Sequence, residues 1–144
     1  MHLERILIKN IMVTNVITIG IDEPFSHVWD VLKPSKIRHL PVVDTQGKLK
    51  GIITLRDLYR IVSPRKEVEE EGLFYLKEDL EKFILSNVMT ENVLTLSADQ
   101  TLGQALDLMV KKKFGCIPIV DEEGVLIGIL TQIDVLRAIA KYFI

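Results

Sequence analysis

Two pairs of residues repeat a threonine and an aspartate at the same spacing. Thr54 stands three residues before Asp57, and Thr131 stands three residues before Asp134, each pair after an apolar stretch. This spacing is typical of a helix N-cap, because both side chains can bond free N–H groups of the first turn. The same groups could bind a ligand, since a carboxylate accepts two hydrogen bonds from a ribose diol and a helix N-terminus attracts phosphate. The spacing alone leaves both interpretations open.

The two pairs belong to a duplication that covers most of the chain. Residues 3–62 align without a gap on residues 80–139, at a constant offset of 77 positions. Of the 60 aligned positions, 20 are identical, and half of the others exchange one apolar residue for another. A match of this length indicates a tandem repeat, in which residues 63–79 form a linker between the copies.

Each copy predicts the element order β-α-β-β-α, preceded by a short helix. β-Branched runs at 15–18 and 92–95 predict the first strands. Asp22 and Asp99 predict the N-caps of the helices that follow. Two further strands are joined by a turn that ends in glycine, and the Thr–Asp pair begins the last helix. One copy of about 60 residues buries too little surface to be stable alone, so we expect the copies to pack about a pseudo-twofold axis.

The second half of each copy carries a more specific pattern. Copy 1 contains "RHLPVVDTQGKLKGIITLRDL" and copy 2 contains "GCIPIVDEEGVLIGILTQIDV". This pattern is present in both copies, and together the copies resemble the tandem CBS-domain pair, also called a Bateman module, over nearly the entire chain. The resemblance implies an α/β (α+β) fold of two CBS repeats and a homodimer. It also implies clefts between the repeats that bind an adenine nucleotide such as AMP, ADP or ATP, with S-adenosylmethionine as an alternative ligand.

The resemblance favours the binding interpretation of both Thr–Asp pairs and implies two crossed clefts. The first cleft joins Thr131 and Asp134 to Ile37, Arg38, His39 and the backbone near Val16. The second joins Thr54 and Asp57 to Phe114, Gly115 and the backbone near Val93. In similar proteins, basic residues shortly before the proline bind phosphate. Copy 1 has Arg38 and His39 there, whereas copy 2 has Gly115 and Cys116, so the first cleft should prefer a phosphorylated ligand.

Composition excludes several other classes of protein. The net charge of −2 and the pI of about 5.9 lack the basic character expected of a nucleic-acid-binding protein. A single cysteine, Cys116, excludes an internal disulfide and a cysteine-rich metal site. His2, His27 and His39 show no metal-ligand spacing, so we predict neither a metal nor a cofactor. The chain has no apolar run long enough to span a membrane and no signal-peptide block, which predicts a cytoplasmic protein.

These observations predict a regulatory ligand-sensing module and not an enzyme. The two repeats use almost the whole chain, so we expect a stand-alone CBS protein that signals to an effector protein in trans. Two alternatives remain: a structural dimerisation module with empty clefts, and a small enzyme that uses Asp134 or His39 for acid–base catalysis. For the homodimer, we expect apolar faces on the helices that carry Phe25, Leu32, Leu102 and Met109.

Overall fold

The computed structural model describes residues 2–35, 37–62 and 85–144, so the linker predicted at 63–79 lies outside the described residues. Short 3-10 helices at Leu3–Arg5 and Ile8–Asn10 open the chain. The remaining helices and strands follow the predicted order in repeat 1, and in repeat 2 they follow it except for the first strand. In chain order they are β1 (Ile19–Gly20), α1 (Ser26–Ser35), β2 (His39–Val43), β3 (Leu49–Thr54), α2 (Leu55–Val62), α3 (Leu85–Val88), α4 (Leu102–Lys112), β4 (Cys116–Val120), β5 (Leu126–Thr131) and α5 (Gln132–Phe143).

The chain divides into two compact units that do not coincide with the sequence repeats. The terminal unit contains Met1–Val16 and Leu94–Ile144, and the central unit contains Ile17–Val93. Each unit therefore combines the body of one repeat with the opening segment of the other. The predicted domain boundaries at 3–62 and 80–139 describe the duplication of the sequence, whereas the compact units exchange its opening segments.

In the central unit, three strands form a sheet in the order β1-β2-β3. β1 runs parallel to β2, and β2 pairs antiparallel with β3 in a register that places His39 opposite Thr54. Thr90, from the opening segment of repeat 2, forms a bridge with Ile52. The turn between β2 and β3 uses Gly47 at a φ of 81°, as predicted for this turn. The core beneath the sheet consists of Ile19, Phe25, Val28, Leu32, Leu40, Val42, Ile53, Leu58 and Leu85.

The terminal unit repeats this arrangement around the β4–β5 hairpin. Cys116 lies opposite Thr131 in the antiparallel pairing. Val13, from the opening segment of repeat 1, bridges Ile129 through hydrogen bonds in both directions, each with an N···O distance of 2.9 Å. The opening segment is therefore a paired edge of this unit. Its core consists of Ile8, Leu96, Leu102, Ala105, Met109, Ile117, Ile119, Leu130, Val135 and Ala138.

The predicted strands at 15–18 and 92–95 are wrong. Residues 15–18 have no strand pairing, and the strand begins at Ile19. Repeat 2 has a single parallel bridge, from Leu96 to Ile119, at the equivalent place. The physical reason is that the chain leaves one compact unit and enters the other at these positions, so β-branched side chains do not find a neighbouring strand.

The predicted N-caps at Asp22 and Asp99 are also wrong. Helix α4 begins at Leu102 and is capped by Thr101, whose Oγ1 accepts a hydrogen bond from the Gln104 N–H while the Gln104 side chain accepts one from the Thr101 N–H. This reciprocal capping box satisfies two N–H groups, which a lone aspartate two residues earlier cannot reach. Asp99 instead forms an exposed ion pair with Lys9. Helix α1 begins at Ser26, four residues after Asp22.

Two glycines mark close contact between each sheet and the exchanged segment. A Cβ added at Gly51 would lie 2.6 Å from Met89 Sδ and 2.8 Å from the Thr90 carbonyl oxygen. A Cβ at Gly128 would lie 2.6 Å from Met12 Sδ. No real Cβ tolerates such distances, so any side chain here would displace the segment.

We expect Gly51→Ala to lower the free energy of unfolding by about 1–3 kcal/mol, because overpacking here must move backbone as well as a flexible methionine. Thermal or urea denaturation would measure the change. Gly103→Ala is the matched control. Gly103 lies in helix α4, where alanine is the better helix former, and a Cβ added there would lie at an ordinary 3.5 Å from Leu3 Cβ. Equal stability of Gly51→Ala and the wild type would contradict the packing described above.

Candidate functional site

Thr131 and Asp134 form a complete capping box at the start of α5. The Thr131 N–H and hydroxyl both donate to Asp134 Oδ2, each at 2.8 Å, and the Asp134 N–H donates to Thr131 Oγ1 at 3.3 Å. The capping interpretation of this pair is therefore correct. Asp134 is nearly buried, with 8% exposure, and its second oxygen, Oδ1, lies 3.9 Å from Arg137 Nη1. Because each carboxylate oxygen has two lone pairs, capping through Oδ2 is compatible with ligand binding through Oδ1.

Thr54 and Asp57 have the same local geometry in the central unit. The Thr54 N–H donates to Asp57 Oδ2 at 2.9 Å, and the Asp57 N–H donates to Thr54 Oγ1 at 3.0 Å. Asp57 is only 5% exposed. Both aspartates are nearly buried, lie at equivalent positions of the two repeats and have the same first-turn geometry. The duplication therefore preserved the local structure as well as the residue types.

Arg38 and His39 lie beside the Thr–Asp pair of their own repeat. His39 is opposite Thr54 in the sheet, and the Leu55 N–H donates to the Arg38 carbonyl oxygen at 2.9 Å. Burial and the neighbouring Arg38 charge lower the pKa of His39, while Asp57 acts to raise it. The net effect favours the neutral imidazole near pH 7, which leaves Arg38 as the permanent cation of this pair.

The predicted site residues divide between the two compact units. Thr131, Asp134, Val16 and Phe114 belong to the terminal unit, whereas Thr54, Asp57, Ile37, Arg38, His39 and Val93 belong to the central unit. The exchange of opening segments thus brings Val16 into the unit of Asp134, and Val93 into the unit of Asp57. The pairing of Arg38, His39 and Ile37 with Asp134, and of Phe114 with Asp57, joins residues of different units and stays a prediction.

Asp134 also lines a groove that was not predicted from the sequence. The groove lies within the terminal unit and has a volume of about 260 Å³, close to the lower end of ligand pockets. One signal could have revealed it, because Arg137 and Lys141 follow Asp134 at the helical spacing of one face. Its lining residues are Asn10, Ile11, Val13, Asp134, Arg137, Ala138, Lys141 and Tyr142.

Cys116 lies next to Thr131 in the sheet and is buried, as expected for a structural thiol. Burial, assisted by the negative charge of Asp134, raises the pKa of this thiol to about 12. The thiol is therefore protonated at neutral pH and is a poor nucleophile. Within residues 2–35, 37–62 and 85–144, no group of three or more His, Cys, Asp or Glu side chains could hold a metal ion.

The geometry agrees with the comparison of the sequence with known families. The family model described as "CBS domain" matches residues 8–64 and 85–141, which together cover most of the chain. The chain belongs to the CBS-domain family. A CBS domain-containing protein of Dictyostelium discoideum is 34% identical over 140 residues, covering 95% of this chain and 93% of the relative. The inosine-5'-monophosphate dehydrogenase of Methanocaldococcus jannaschii is also 34% identical, over 88% of this chain but only 22% of its own length.

Solved structures of CBS pairs share the fold, which confirms the predicted α/β class and the two-repeat architecture. CBSX2 from Arabidopsis thaliana in complex with AMP has a TM-score of 0.78 at 25% identity, covering 94% of this chain and 97% of that one. The CBS-domain pair of protein MJ0100, in complex with 5'-methylthioadenosine and S-adenosylmethionine, has a TM-score of 0.75 at 27% identity, with coverage of 94% and 96%.

Among the described helices, none has the length and apolar character required to cross a bilayer.

Proposed function

We propose that this CBS-domain protein is a regulatory module that senses an adenine nucleotide through its two Thr–Asp pairs. The observation that carries the proposal is the carboxylate of Asp134, which uses Oδ2 for the helix cap, keeps acceptor capacity at Oδ1 and belongs to a residue that lines a groove. Oδ1 can accept hydrogen bonds from the hydroxyls of a ribose, while the positive end of the α5 dipole favours a phosphate nearby. AMP bound to CBSX2 supports a nucleotide of this type.

Sensing fits the chemistry of the site better than catalysis. Both aspartates are held by capping hydrogen bonds at a helix start, where they can orient a ligand. The neighbouring thiol of Cys116 is protonated at neutral pH, which argues against nucleophilic catalysis at this position. We infer that ligand occupancy is communicated to an effector protein in trans. Retention of an effector on immobilised protein only in the presence, or only in the absence, of the bound nucleotide would support this step.

Titration calorimetry with AMP, ADP, ATP and S-adenosylmethionine tests the binding proposal. We expect heat from at least one adenine nucleotide, because both Thr–Asp pairs present acceptors and helix-start N–H groups. Binding of S-adenosylmethionine alone would identify that ligand in place of a nucleotide. If folded protein binds none of the four, the sensing proposal fails and a structural dimerisation module becomes the better explanation. Mass spectrometry of small molecules released from denatured protein would identify a ligand that had co-purified and blocked the titration.

We further propose that the protein forms a homodimer, although not through the side chains named from the sequence. Phe25, Leu32, Leu102 and Met109 are all buried in the cores of the two units, so they cannot contact a partner. The most exposed apolar side chains on helices α4 and α5 are instead Val110 on α4 (73% exposed) with Ile133 (55%) and Leu136 (59%) on α5. We call these three residues the α4–α5 apolar face. Burial of this face against a second copy would remove apolar surface from water.

The two repeats differ at this face. The position equivalent to Ile133 in repeat 1 is Arg56, an exposed cation. A self-complementary contact across a twofold axis would pair the apolar face with itself, whereas contact with the repeat 1 equivalent would place apolar side chains against this cation. The proposed dimer is therefore one in which repeat 2 contacts repeat 2 of the partner.

A further inference from the structure

One side of helix α5 presents ionic side chains in a row. Arg137 lies one turn beyond Asp134, and Lys141 lies one turn further. All three residues line the groove of the terminal unit. At a rise of about 1.5 Å per residue, the row extends about 10 Å along the helix axis. It begins with an acceptor of hydrogen bonds and ends with two cations.

The groove has an apolar floor that the fold holds in place. Ile11 and Val13 contribute from the opening segment, and Ala138 contributes from α5. The segment is fixed by the two Val13–Ile129 hydrogen bonds and by the Met12 N–H, which donates to the Ile8 carbonyl oxygen at 2.8 Å. The floor is therefore preorganised, which lowers the entropic cost of binding a ligand.

The cations of the groove have capacity for an anionic ligand. Arg137 contacts Asp134 Oδ1 only at 3.9 Å, at the limit of an ion pair, and its side chain is 78% exposed. A guanidinium has five N–H donors, so a single distant carboxylate oxygen leaves room for a phosphate. Lys141 Nζ lies 5.3 Å from the centre of the Tyr142 ring, a cation–π contact that orients the ammonium group without neutralising it.

We propose that this groove binds the phosphate chain of a nucleoside polyphosphate, with Asp134 at the ribose and with Arg137 and Lys141 along the phosphates. The proposal rests on the proposed function and deepens it, because it selects among the adenine nucleotides. A single phosphate next to the ribose reaches the turn of Arg137. A chain of two or three phosphates also reaches Lys141, so ATP should bind more tightly than AMP, and AMP more tightly than adenosine.

The groove and the α4–α5 apolar face meet at Arg137. Successive residues of a helix point about 100° apart, so Ile133 and Leu136 lie to one side of the row formed by Asp134, Arg137 and Lys141, with Arg137 one turn from Ile133. Lys141 lies two turns from Ile133, so Lys141→Gln tests the groove while the apolar face is left intact.

The experiment compares the wild-type protein with Arg137→Gln, Lys141→Gln and the double variant, by calorimetry with ATP, AMP and adenosine. Each exposed cation should contribute about three- to tenfold to ATP affinity, so the double variant should lose roughly tenfold or more. Lys141→Gln should weaken ATP more than AMP, and adenosine should be unaffected. Raising the salt concentration should reduce the advantage of the wild type, because salt screens exposed charges.

Lys111→Gln is the matched control, since Lys111 is an exposed lysine on α4 that pairs with Asp107 and does not line the groove. Unchanged ATP affinity in the double variant would overturn the groove assignment while leaving the proposed function in place. An equal loss of ATP and adenosine, or an equal effect of Lys111→Gln, would overturn it as well. A wild-type protein that binds none of the three probes would overturn the proposed function, and the groove assignment with it.

Discussion

Replacement of Asp134 by alanine should weaken adenine-nucleotide binding by about a hundredfold or more. In the proposed site the carboxylate is the acceptor for the ribose hydroxyls, and two charge-assisted hydrogen bonds contribute about 1.5–3 kcal/mol each. Calorimetry would measure the loss, and it should affect ATP, AMP and adenosine alike because all three carry the ribose. This equal loss distinguishes the role of Asp134 from that of Arg137 and Lys141, which should act on the phosphates alone.

Asp134 also caps helix α5, so the loss of affinity must be separated from a loss of stability. Asp134→Asn keeps one side-chain oxygen for the Thr131 N–H and should retain more of the cap, while the ribose loses the charged acceptor. Gln104→Ala is the control for a broken cap elsewhere, because it removes the equivalent interaction at the start of α4. We expect Gln104→Ala to lower stability by about 1 kcal/mol and to leave affinity unchanged.

Asp57→Ala should weaken the binding of phosphorylated nucleotides less than Asp134→Ala does. This expectation follows from the predicted pairing of Asp134 with Arg38 and His39, to which the groove now adds two further cations. Arg38→Ala provides the independent check, since it should weaken AMP and ATP but spare adenosine. If Asp57→Ala is the more damaging substitution at unchanged melting temperature, the pairing predicted from the resemblance is wrong.

Ile133→Arg should convert the proposed homodimer into a monomer at tens of micromolar protein. In the proposed interface, an arginine on the α4–α5 apolar face would bury an unpaired charge, which costs several kcal/mol and weakens association by at least a hundredfold. Sedimentation velocity of the variant and the wild type would measure the change. The fold should tolerate the substitution, because repeat 1 carries Arg56, an exposed residue, at the equivalent position.

Arg56→Gln is the matched control on the other repeat, and it should leave the dimer intact. A dimer that survives Ile133→Arg but dissociates with a charge reversal at Arg56 would place the interface on repeat 1. A wild-type protein that sediments as a monomer at this concentration would contradict the homodimer altogether.

The sequence predicted local features well where one residue type satisfies a single geometric demand. Gly47 and Gly124 both adopt positive φ in their hairpin turns, and in each turn the aspartate three residues earlier accepts backbone hydrogen bonds. The Thr–Asp pairs cap α2 and α5 for the same reason. The conformation of a turn glycine and the capping by a carboxylate at a helix start depend on residues nearby in the chain. The local sequence is therefore sufficient to predict them.

Features that depend on residues distant in the chain were harder to predict from the sequence. The sequence shows the strand propensity of residues 15–18. It does not show that the chain passes from one compact unit to the other there. The pairing of Val13 with Ile129 likewise depends on a segment from the other end of the chain. Similarly, Arg137 and Lys141 have the composition of any solvated helix face. Only the opening segment, which packs alongside them, turns that face into one wall of a groove.

The exchange of opening segments has a consequence for how such a chain can be divided. A fragment of residues 80–144 would contain the β4–β5 hairpin but lack Met1–Val16, the segment that pairs with Ile129. Completing that edge as in the full chain would require the opening segment of a second fragment, and folding by this route would be bimolecular. Joining the two repeats in one chain replaces that encounter with an effective concentration in the millimolar range. The duplication thereby makes the folding of each unit unimolecular and conditional on the integrity of the other repeat.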